Sequence, residues 1–170
     1  RERYFRIIGL DLREMDGVVS KTVQTGWYPF GEYPKPENGY IKLSPLSRRV
    51  LRLYRIKTSL PNINVSCIVG KNGSGKSSLL DVMFRILNNL SYKLILEKDT
   101  PIKPELQYAY GVHADLYYES DGKLNVIVCD EERMSFYREL RKGVMKPIPI
   151  SSGNFDEILS KFFYTIGVNY

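Results

Sequence analysis

The residues Gly70-Lys71-Asn72-Gly73-Ser74-Gly75-Lys76-Ser77 fit the spacing G-x-x-x-x-G-K-[ST] in full. Each residue type has a task in holding phosphate. Glycine accepts backbone angles that a Cβ forbids, so consecutive amide N–H groups can turn inward around an anion. A helix starting where the loop ends adds unpaired donors and the positive end of its dipole. Lys76 supplies a mobile charge for the β- and γ-phosphates and for charge developing in the transition state, and Ser77 a hydroxyl ligand for Mg²⁺. Ser78 adds a hydroxyl within reach of the α-phosphate. The expected ligand is ATP with Mg²⁺, held by Gly70 to Ser78.

Cleaving that ligand needs a second metal-holding carboxylate and a group that orients water. The run VIVCDE, Val126 to Glu131, has the look of a Walker B strand. Asp130 would hold Mg²⁺ through water and Glu131 would be the general base. A second reading carries more weight. The same run is the return arm of a hairpin about Asp121-Gly122, hence antiparallel to its neighbour. A Walker B strand lies in a parallel sheet beside the phosphate-loop strand. Gln107 and His113 are weighed as a water-positioning glutamine and a switch histidine, and nothing around either supports the role. The basic run Arg48, Arg49, Arg52, Arg55, Lys57 reads as a solvated face before it reads as a phosphate contact. Trp27, Tyr28 and Phe30 read as packing residues before an adenine platform.

Certain elements must position these groups. Tyr4 to Glu14 predicts a strand, Lys21 to Tyr28 a second extended segment, and Pro29 to Gly39 a loop. Ser47 to Lys57 fits strand or helix. Asn64 to Val69 predicts a short buried strand leading into the glycine turn. After it, Leu79, Leu80, Met83, Ile86, Leu87 and Leu90 recur at helical spacing, with Asp81, Arg85 and Asn88 opposite and Asp81 four residues before Arg85. Glu97 to Pro104 predicts a loop. Ala114, Leu116 and Tyr118 share one face of a strand; Leu124, Val126 and Val128 share one face of the next. Pro147 to Gly153 predicts a loop, and Asn154 caps a helix from Phe155.

Composition sets bounds. The chain has 170 residues, 43% hydrophobic, enough for one domain with a real core. A formal net charge of +6 permits DNA as a partner without requiring it. Cys67 and Cys129 sit in apolar runs without a CxxC partner and read as structural thiols. No run is long and apolar enough to span a bilayer and no secretory signal opens the chain, so no membrane partner and a cytoplasmic location are expected. The chain begins without methionine and stops within a β-rich run, which reads as an N-terminal fragment of a larger protein.

The run NGSGKSSLL, Asn72 to Leu80, resembles the head domains of ABC-type ATPases, most of all the SMC, RecF and overcoming-lysogenization-defect branches. The hairpin from Ala114 to Asp130 resembles their antiparallel β-subdomain, and KFFYTIGVNY resembles a segment of large bacterial AAA/ABC-type ATPases. The strong likeness covers about 63–90. It implies an α/β fold, the N-terminal lobe of a P-loop NTPase with a mixed sheet and an antiparallel β-subdomain at about 105–140, within a single domain over 1–170. It implies an ATPase when intact, homodimerisation of heads that sandwich ATP, and action on DNA or in phage defence. No LSGGQ-type signature stretch occurs in the chain.

Two other classes compete. A GTPase lacks its DxxG and NKxD here. A P-loop nucleotide or small-molecule kinase would need a basic lid, for which Arg133, Arg138 and Arg141 are candidates, though their spacing is equally that of an ordinary helix. A non-catalytic module with a relict loop sits poorly with an intact lysine and serine.

Overall fold

In a computed structural model the described residues are 5–14, 23–43, 75–97 and 107–149. They form β1 (Phe5–Leu12), β2 (Gly26–Pro29), α1 (Lys76–Glu97), β3 (His113–Ser120), β4 (Lys123–Asp130), β5 (Arg133–Arg141) and β6 (Val144–Ile148). The six strands make one sheet in the order β2-β1-β3-β4-β5-β6, and every pairing is antiparallel.

This overturns the expected fold class. The described chain is mostly β, a wholly antiparallel sheet with a single helix, and is not an α/β P-loop lobe built on a mixed sheet. The physical reason lies in the connections. β3 to β6 follow one another through tight turns, and two-residue turns join only antiparallel neighbours. The segments expected at Ser47–Lys57, Asn64–Val69 and Phe155 onward lie outside the described residues.

Both faces of the sheet are covered. Ala114, Leu116 and Tyr118 of β3 join Ile127 and Cys129 of β4 beneath α1, whose Leu79, Val82, Met83, Ile86, Leu87 and Leu90 complete that core. Leu124 and Val126 point the other way, with Ile8, Tyr117 and Ile41, under the irregular segment after β2. The period-2 alternation across Asp121-Gly122 is thus as expected. Both turn residues have positive φ, 52° and 80°, the requirement of a type I′ turn.

Departures have local causes. Leu80 is 36% exposed, and Val82 takes the core position, because the buried stripe of α1 centres on Leu79, Met83, Ile86 and Leu90. Arg133, Arg138 and Arg141 stand on strand β5, not on a helix. Pro147 lies in β6 rather than in a loop, at a position where the strand pairs with β5 alone among the described residues.

A bulge in β1 shifts the register between Ile7 and Gly9, so Phe5, Ile7, Leu10 and Leu12 all face the α1 core. Gly9 is needed there. A Cβ would stand 2.6 Å from Trp27 Cη2 and from the Tyr28 carbonyl oxygen.

Candidate functional site

The phosphate motif enters the described structure at its last glycine. Gly75 has φ of +86°, a conformation that side chains disfavour, and α1 starts at Lys76. The Leu79 N–H donates to the Gly75 carbonyl oxygen at 2.9 Å, which closes the first turn. Ser77 is exposed and Ser78 half-buried. No acidic residue stands in that first turn, so nothing there opposes the dipole's attraction for an anion. Gly70, Lys71, Asn72, Gly73 and Ser74 lie outside the described residues, as does Cys67.

The apolar stripe anchors the helix on the sheet, and side-chain amides fix its second half. Asn89, fully buried, donates from Nδ2 to the Ala109 carbonyl oxygen at 2.8 Å and accepts from the Ala109 N–H at 2.7 Å. It thereby mimics a strand pairing with the segment entering β3. Asn88 Nδ2 donates to the Gln107 carbonyl oxygen at 2.7 Å. Gln107 therefore meets the helix through its backbone. On the outer side Arg85 Nε donates to Asp81 at 2.8 Å, the pair expected from their spacing.

Asp130 and Glu131 occupy a different environment. Asp130 ends β4, between β3 and β5, so the Walker B-like run is the return arm of an antiparallel hairpin. His113 Nδ1 lies 2.8 Å from Asp130 Oδ1, and its Nε2 lies 3.7 Å from Glu131 Oε1. Glu131 has φ of 52° in the β4–β5 turn. Its N–H donates to Val112 and its carbonyl oxygen accepts from the Tyr108 hydroxyl at 2.5 Å. Burial, then Cys129, Glu132 and Tyr110, push the Tyr108 hydroxyl up to about 12, so it stays a donor. Tyr108 also packs against Tyr92 of α1, at 5.6 Å between ring centroids.

These contacts reach α1 near Asn89 and Tyr92. Asn89 stands roughly 18 Å along the axis from Ser77 at 1.5 Å per residue. The structure thus joins His113, Asp130 and Glu131 to one another and anchors them to the far half of the helix. Sequence reasoning missed the cross-strand meeting of His113 with Asp130. Their register was legible from the Asp121-Gly122 turn, which sets His113 opposite Asp130.

Elsewhere, polar burial is structural. Arg6 pairs with fully buried Glu119 at 2.5 Å and lies 5.5 Å from the Tyr33 ring centroid. Arg13 pairs with Asp115 and donates to the Cys129 carbonyl oxygen at 2.5 Å. Burial raises the Asp115 carboxyl above its ordinary range, and Arg13 opposes that rise. Burial pushes the Cys129 thiol up to about 12, in keeping with a structural, unreactive cysteine. Trp27 meets the Tyr117 ring edge-on at 5.6 Å and donates to the Tyr33 carbonyl oxygen, while Tyr28 and Phe30 pack on the α1 core. Among the described residues no group of three or more His, Cys, Asp or Glu could hold a metal ion. No helix among them is long and apolar enough to cross a membrane.

No family model, no curated protein and no solved structure matches this chain.

Proposed function

We propose that this chain binds ATP with Mg²⁺ through the run Gly70 to Ser78. The carrying observation is a full sequence match of Gly70 to Ser77 to the phosphate motif whose described end opens a helix: Gly75 at positive φ, α1 starting at Lys76, and an exposed Ser77 in a first turn free of acid. In this reading the loop amides and the helix end hold the phosphates. Lys76 balances the charge of the terminal phosphates, and Ser77 ligates Mg²⁺.

The resemblance of Asn72–Leu80 to ABC-type ATPases extends the proposal to the intact protein. There, paired copies would close over ATP and reopen after its hydrolysis, in the cytoplasm, on DNA or in phage defence. Asp130 and Glu131 have no part in this reading, because their neighbours are His113 and the 107–112 segment.

Thermal unfolding with and without Mg²⁺·ATP tests it. Ligand at about 100 times its Kd stabilises by roughly 2.7 kcal/mol, a midpoint rise of several degrees. The rise is expected in the parent chain and cut to about half or less in Lys76→Ala. A parent midpoint that Mg²⁺·ATP leaves unchanged would reject the site.

A further inference from the structure

The exposed charges of β3 to β6 and their turns lie toward the two ends of the sheet. At one end lie the β3–β4 turn and the β5–β6 turn. Lys123, Arg141, Lys142 and Lys146 are exposed there, beside exposed Asp121, and the 30–43 segment that reaches Glu139 through Tyr40 adds exposed Glu32 and Glu37 together with exposed Lys35 and Lys42. Two further carboxylates of this end are held by partners. Glu119 is buried on Arg6, and Glu139 accepts from Tyr40 and from the N–H groups of Leu124 and Gly143. A bulge between Glu139 and Arg141 leaves Leu140 58% exposed, with Val144 beside it 39% exposed. The result is an aliphatic centre inside a basic rim.

The opposite end has the complementary character. Asp130, Glu131 and Glu132 are exposed around Tyr110, which is 65% exposed and stands 5.2 Å from the Tyr108 ring. The cations of this end are Arg133, which is exposed, His113 on Asp130, Lys93 over the Tyr108 ring, and Arg13 on Asp115. An eight-residue strand such as β4 separates the two ends by about 27 Å at 3.4 Å per residue. One chain cannot bring its own two ends together across a paired sheet.

We propose that the basic, aliphatic tip of one copy docks on the acidic, tyrosine-bearing tip of a second copy, head to tail. Charge complementarity carries the choice of partner: the patch that fits the basic tip is on this same chain. The contact joins unlike patches, so it propagates instead of closing as a symmetric pair. It is small and rimmed by exposed charge, so it is weak and salt-sensitive. It requires no nucleotide, and its failure leaves the phosphate-site reading untouched.

Analytical ultracentrifugation of the nucleotide-free chain over a concentration series tests it, at about 20 mM and about 500 mM salt, which differ severalfold in screening length. The expected result is a weight-average mass that climbs with concentration at low salt and falls to the monomer at high salt. Arg141→Gln with Lys142→Gln, and separately Glu131→Gln with Glu132→Gln, each abolish the climb. Mixed in equal amounts, the two variants form a pair and nothing larger, because each retains one native end. Leu140→Ser, neutral in charge, weakens the climb. A parent chain that stays monomeric at low salt overturns the proposal, as does association that survives either double variant. Retention of duplex DNA or anionic vesicles by the basic tip, without self-association, overturns it too and assigns the tip to another polyanion.

Discussion

Gly75 and Glu131 both hold positive φ, +86° and 52°, and each stands where a nucleotide-motif-like run changes direction. Their surroundings differ. Gly75 opens a helix whose first turn presents an exposed Ser77 and no carboxylate. Glu131 caps a strand pair, with its backbone bound to Val112 and Tyr108 and the adjacent Asp130 bound to His113. The β4–β5 turn uses its groups to hold the sheet end together.

Variants sharpen that contrast. The largest effect is expected at Asn89, the amide between the two regions. Asn89→Leu leaves the Ala109 N–H and carbonyl without their partner, at a cost of about 3 kcal/mol in chemical denaturation. A loss below about 1 kcal/mol would mean that water replaces the amide and the bracket is not structural. Tyr108→Phe removes one hydrogen bond to the turn and is expected to cost about 1 kcal/mol, read the same way. Glu131→Gly should act in the opposite direction. Relief of the left-handed conformation is expected to stabilise by roughly 0.5–1 kcal/mol after the entropy cost of glycine. Destabilisation by that variant would show that the Glu131 side chain contributes more than its backbone costs.

Much of the sheet was legible in the sequence. The Asp121-Gly122 pair fixed the β3–β4 hairpin, and period-2 alternation put Ala114, Leu116 and Tyr118 on one face of β3 and Leu124, Val126 and Val128 on one face of β4; that these are opposite faces of the sheet came from the register. What misled was the weight placed on a local motif. Gly70 to Ser78 implied a parallel neighbour for its strand, yet tight turns commit β3 to β6 to antiparallel pairing, and β1 and β2 join the same sheet antiparallel. The β1 bulge was illegible because it depends on Gly9 meeting Trp27 and Tyr28 of another strand. The buried Arg6–Glu119 pair was illegible for the same reason: its partners are remote in sequence and met only through the β1–β3 register. Asn89 gave no signal either, since a buried asparagine on an apolar helix face reads like an interruption until Ala109 is set beside it.

Isothermal titration of Mg²⁺·ATP into three chains tests the central claim most directly: the parent, Lys76→Ala, and Asp130→Asn with Glu131→Gln. The account predicts binding by the parent, an affinity lower by at least about tenfold, near 1.4 kcal/mol, in Lys76→Ala, and an unchanged affinity in the carboxylate variant. Binding that survives Lys76→Ala but is lost with the two carboxylates would contradict it, and would move the nucleotide site to the β4–β5 turn.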